Sequence, residues 1–174
     1  YPLPTLALFT LLIGSAFGQL PTRNQVLWLD ASDADTITAD ENGLVSLWAD
    51  KSGKNSNAVQ PDPARQPHIN AAVIGGKDGM RQDPATGMRI ETLSLARPYS
   101  IFIVDQYAAD AGNRGRTLQA IDNTGGGNWL IGKWGGFHGH HAGQWVGISK
   151  GIGAPNGEAK ISEGIGTWQS SDWS

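Results

Sequence analysis

The chain has 174 residues, and its 16 acidic and 13 basic side chains leave a net charge of −3 without any basic block, which argues against a nucleic-acid partner. Its 24 Gly and nine Pro, about a fifth of the total, argue against a helical bundle and for short strands joined by turns, and their lack of a regular period excludes collagen. Cys is absent, which removes disulfides, thiolate metal sites and a Cys nucleophile together.

Residues 6–17 (LALFTLLIGSAF) form one uncharged apolar run. Twelve residues of helix reach about 18 Å, short of a hydrocarbon core of about 30 Å. The run therefore reads as a signal peptide over residues 1–18, with Ala16 and Gly18 as the small residues before a cleavage at Gln19. An uncleaved membrane anchor is the other reading. No Met or basic residue precedes the run, and the sequence stops at Trp173-Ser174 without a closing turn. The chain is expected to be part of a longer exported polypeptide, with residues 24–174 forming one module and no membrane attachment after cleavage.

Residues 26–30 (VLWLD) suggest a first strand, and residues 44–49 (LVSLWA) a second that ends at the turn signal Asp50-Lys51-Ser52-Gly53. Residues 68–74 (HINAAVI) read as a strand, and residues 75–87 as loop. Residues 88–95 (MRIETLSL) alternate apolar and polar types, as a half-buried strand does. Residues 99–104 (YSIFIV) form the most continuous β-branched run and are expected to be a central, buried strand. Residues 117–121, 129–134 and 144–148 follow as strands between Gly-rich turns. Some eight short strands with no helical period predict an all-β, two-sheet antiparallel β-sandwich or jelly roll, incomplete at its C-terminal end.

Three clusters invite a functional reading. Asp30, Asp33 and Asp35, with Asp40, Glu41 and Asn42 nearby, offer calcium several closely spaced carboxylates, although the EF-hand pattern is not met. The alternative is that Asp30 and Asp33 cap turns through backbone N–H groups. His138 and His140 share one face of a strand and could ligate a metal, but no HExxH motif accompanies them and such clusters in Gly-rich loops are more often solvated polar surface. Trp129, Trp134 and Trp145 lie close in sequence; an indole stacks on the C–H face of a sugar, but large aromatics also fill β-sandwich cores. Trp129 and Trp134 fall on opposite faces of a regular strand, so one can be exposed while the other is buried, and Trp134 lies nearer the polar loop. The ligand-binding candidates are therefore Trp134, His138, Trp129 and Asn128. Trp28 and Trp48 are assigned to the core. Gly125-Gly126-Gly127 and Gly75-Gly76 lack a following helix start or Lys-Ser/Thr, so they are turns rather than phosphate cradles.

Taken in order, Leu27-Trp28-Leu29-Asp30-Ala31-Ser32-Asp33, Val45-Ser46-Leu47-Trp48-Ala49-Asp50-Lys51-Ser52-Gly53 and Arg97-Pro98-Tyr99-Ser100-Ile101-Phe102-Ile103-Val104 resemble secreted bacterial LamG-like modules of the concanavalin A-like lectin/glucanase superfamily. Arg116-Thr117-Leu118-Gln119, Asn128-Trp129-Leu130-Ile131-Gly132 and Gln144-Trp145-Val146 extend the likeness over about residues 25–150. The chain departs at Gln82, where such modules place a large apolar residue. The resemblance implies a jelly roll that binds a polysaccharide, a cell-surface glycan or a protein, with calcium bracing its loops.

Catalysis is not expected. Glycoside hydrolysis needs two carboxyl groups about 5–10 Å apart. Glu91 stands alone, while Glu158 and Glu163 are five residues apart and so on opposite faces of a strand. Ser149, His138 and Asp122 supply the residue types of a serine triad without a G-x-S-x-G elbow. The expected function is a non-catalytic ligand-binding module of a larger extracellular protein, the alternatives being a structural or adhesion spacer and a glycosidase fragment.

Overall fold

The computed structural model describes residues 22–95, 98–108, 112, 114–120, 129–134, 137–142, 144–146 and 159–166. The signal-peptide reading, Asn128, Asp122, Ser149, Glu158 and the glycines at 125–127 lie outside them. The described chain is mostly strand, arranged in small antiparallel sheets with two short 3-10 turns at Ala34–Thr36 and Pro63–Arg65. No helix among the described residues is long and apolar enough to cross a membrane.

The first sheet joins β1 (Ile37–Ala39), β2 (Val45–Trp48) and β3 (Ala58–Val59), with β2 in the middle. Asp40 closes the β1–β2 turn: its Oδ1 accepts the N–H groups of Asn42 at 2.9 Å and Leu44 at 2.8 Å. Val45, at the start of β2, is fully buried. Residues 26–30 do not form the expected strand. Their chain is bonded to a loop instead, because Trp28 spends its N–H on the Asp50 carboxylate and its carbonyl on the Lys51 N–H.

The strand expected at residues 68–74 is present as β4 (His68–Ile74), and the loop expected at residues 75–87 contains a further strand, β5 (Lys77–Arg81). Gly75 and Gly76 both adopt positive φ, +57° and +76°, the backbone a tight type I′ hairpin turn demands, so the chain reverses at once and pairs Ile74 with Lys77. Gln82, just beyond β5, is exposed, so its amide stays in water. Residues 88–95 make no strand either; they contribute one isolated bridge, Val59 to Arg89.

The second half holds β6 (Tyr99–Gln106), β7 (Arg114–Gln119), β8 (Trp129–Trp134), β9 (Phe137–Ala142), β10 (Gln144–Val146) and β11 (Ala159–Gly166). Strand β6 pairs along its whole length with β11, from Tyr99↔Gly166 to Gln106↔Ala159. The other four form one sheet in the order β10-β9-β8-β7. Tyr99, Ile101 and Ile103 of β6 pack with Leu95, Leu118 and Ala120 against Trp129 and Ile131 of β8. Two sheets therefore meet through alternate residues of β6.

That alternation corrects the reading of β6 as a buried strand: Phe102 and Val104 are 49% and 55% exposed. A continuous apolar run has no period to say which residues are covered. The doubly covered strand is β8, where Trp129, Leu130, Ile131 and Lys133 are 9%, 2%, 2% and 4% exposed. Gly132 suits this crowding, since a Cβ there would collide with the Gly115 carbonyl of neighbouring β7.

Candidate functional site

Two polar clusters stand out, one in each half. In the first, the segments 27–33 and 47–53 zip together. Asp50 Oδ1 accepts the N–H groups of Trp28 and Ser52, each at 2.9 Å. Its Oδ2 accepts the Ser52 hydroxyl at 2.7 Å and the Ser56 N–H at 3.0 Å. Burial pushes the Asp50 carboxyl up, but these bonds outweigh it and hold the group below its ordinary range.

Lys51, the next residue, returns its ammonium to the first segment. The Nζ lies 2.5 Å from Asp33 Oδ2, 3.1 Å from Asp30 Oδ2 and 4.5 Å from the centroid of the Trp28 ring. The hydrogen bond to Asp33 does most to raise the Lys51 pKa, burial opposes it, and Asp30 adds to the rise. The other Asp30 oxygen accepts both the N–H and the hydroxyl of Ser32, at 3.1 and 2.7 Å. Burial raises the Asp30 carboxyl, and the bonds from Ser32 and Lys51 reverse that and lower it.

The turn-capping alternative thus describes Asp30, while Asp33 precedes the 3-10 turn without a side-chain cap bond and faces Lys51. Asp35 sits within that turn and is exposed. The seat between Asp30 and Asp33 that calcium would take is held by an ammonium, so an incoming cation must displace Lys51. No three His, Asp or Glu side chains gather as metal ligands among the described residues.

The second cluster lies where the β6–β8 contact turns polar. Asp105 continues the inward alternation of β6 and is buried. Its Oδ2 accepts the Thr117 hydroxyl at 2.5 Å. The Thr117 hydroxyl is 3.3 Å from the phenol of Tyr107, which donates to the Gly115 carbonyl at 3.2 Å. The buried Lys133 ammonium stands 5.2 Å from the Tyr107 ring centroid. Burial pushes the Tyr107 phenol up to about 12; the Thr117 hydrogen bond opposes the rise and the Asp105 charge adds to it. The Tyr107 ring also fills the place where a side chain on Gly115 would go, since a Cβ there would come within 2.7 Å of Cε1.

The expected ligand residues divide around this cluster. Trp129 is in the core: its indole N–H donates to the Tyr99 hydroxyl at 2.8 Å, and the two rings meet edge-on at 6.4 Å. Its ring is spent on packing rather than offered to a sugar. Trp134 and His138 both lie at the turn end of the β8–β9 hairpin but in successive cross-strand pairs, Trp134 with Phe137 and Lys133 with His138. Gly115 pairs with Lys133 from the other side, so Gly115, Lys133 and His138 form one cross-strand row beside Tyr107. His140 pairs with Ile131 and Val146, two positions further along β9. Trp28 and Trp48 are half-buried.

Sequence reading missed Asp105, Tyr107, Thr117 and Lys133. The signal was the phase of residues 99–107: Tyr99, Ile101 and Ile103 set the inward positions, and the same spacing carries Asp105 and Tyr107 to that face. The cluster gathers a carboxylate, two hydroxyls and an ammonium, and the contacts described join these groups to one another and to the Gly115 carbonyl. Comparison with protein-family models, with curated proteins and with solved structures finds no match to this chain.

Proposed function

We propose that the chain is a secreted, non-catalytic module of the two-sheet jelly-roll type, which binds a polysaccharide or another cell-surface ligand as one part of a larger extracellular protein. The carrying observation is the cross-strand row of Gly115, Lys133 and His138, which sets His138 in register with the Lys133 of the polar cluster of Asp105, Tyr107 and Thr117, with Trp134 the next position at the hairpin end. Aromatic rings together with hydroxyl, carboxylate and ammonium groups are the residue types that match the two sides of a sugar, apolar C–H faces and polar edges. The packing of β6 on β8 supports the two-sheet architecture. The apolar run at residues 6–17 supports export. Within this reading Lys51 supplies the positive charge between Asp30 and Asp33, and calcium is the competing occupant of that loop.

The test is a glycan array and polysaccharide pull-down on the chain with Trp134→Ala and His138→Ala beside it, in calcium and in chelator. Retention by the parent and loss in both variants is the expected result. No retention in either condition overturns the reading and favours a structural spacer, for which the internal pairing of Lys51 with Asp30 and Asp33 also speaks.

A further inference from the structure

We draw no further inference here: the strongest candidate, the outer face of the β6–β11 pair with exposed Phe102 and Val104, is an unpartnered apolar sheet face, and nothing in the structure shows what covers it.

Discussion

Trp28 and Asp50 are joined across twenty-two residues by a hydrogen bond from the Trp28 N–H to Asp50 Oδ1 at 2.9 Å. The same carboxylate fixes Ser52 and Ser56, so one side chain ties the segment 26–30 to the loop after β2. Replacing Asp50 with Ala leaves several N–H groups without their acceptor. The expected loss is about 2–3 kcal/mol of unfolding free energy, on the scale of hydrogen bonds to a charged group. Urea denaturation of Asp50→Ala against the parent measures it, and a change near zero contradicts the tie.

Acid should weaken the same region. Asp30, Asp40 and Asp50 are all held below the ordinary 3.8 in the folded chain. Their contribution is present above the unfolded value and is lost as pH falls through the lower folded values. Thermal melts should be flat in this respect down to about pH 4 and fall below it. Asp50→Asn should show a shallower acid decline than the parent.

Lys51 makes a clear statement about calcium. With its ammonium already between Asp30 and Asp33, the parent's melting temperature should not change between chelator and millimolar calcium. A ligand that binds only the folded state raises the melting temperature, so a clear rise would show calcium displacing Lys51. Lys51→Met should lower stability in chelator, because it leaves the two carboxylates facing each other without a cation.

The two tryptophans of β8 should behave differently. Trp129→Ala removes a core ring together with its bond to Tyr99, and a loss of about 3–5 kcal/mol is expected. Trp134→Ala should remove retention on polysaccharide while leaving far more of the stability. Circular dichroism melts paired with the pull-down separate these outcomes; equal damage to folding from both would deny Trp134 a binding role.

Tyr107 gives an alkaline signature. Its folded pKa of about 12 lies above the ordinary 10.0, so its contribution is whole below pH 10 and is lost as pH rises toward the folded value. Phenolate absorbance should show one late-titrating tyrosine, absent in Tyr107→Phe. Titration of every tyrosine at the ordinary value would contradict the buried phenol.

Much of the strand pattern was legible, because short apolar runs between Gly, Pro and Asp mark strands wherever they pair. The expected strands at 68–74 and 129–134 coincide with β4 and β8, that at 44–49 contains β2, β7 begins three residues before the expected 117, and β10 starts at the expected 144. Composition misled at residues 75–87, where Gly and Lys hid a strand that Gly75-Gly76 folds back onto β4. It misled in the opposite direction at 26–30 and 88–95, whose apolar residues serve loops. The acidic cluster was visible as a cluster, but its partner Lys51 lies a loop away and no local pattern announces it. Asp105 and Lys133 were passed over because isolated charges in apolar strands look like surface positions until a neighbouring layer covers them.

The inward phase of β6 carries one more consequence. Its covered side runs from Tyr99, Ile101 and Ile103 to Asp105 and Tyr107, greasy at one end and hydrophilic at the other. Sliding the strand by a single position would turn Phe102 and Val104 toward Trp129, which hydrophobicity alone would tolerate. It would also pull Asp105 away from Thr117 and Tyr107 away from Gly115. The hydrophilic end thus acts as an alignment key, admitting one seating of the strand among several that oil and water would accept.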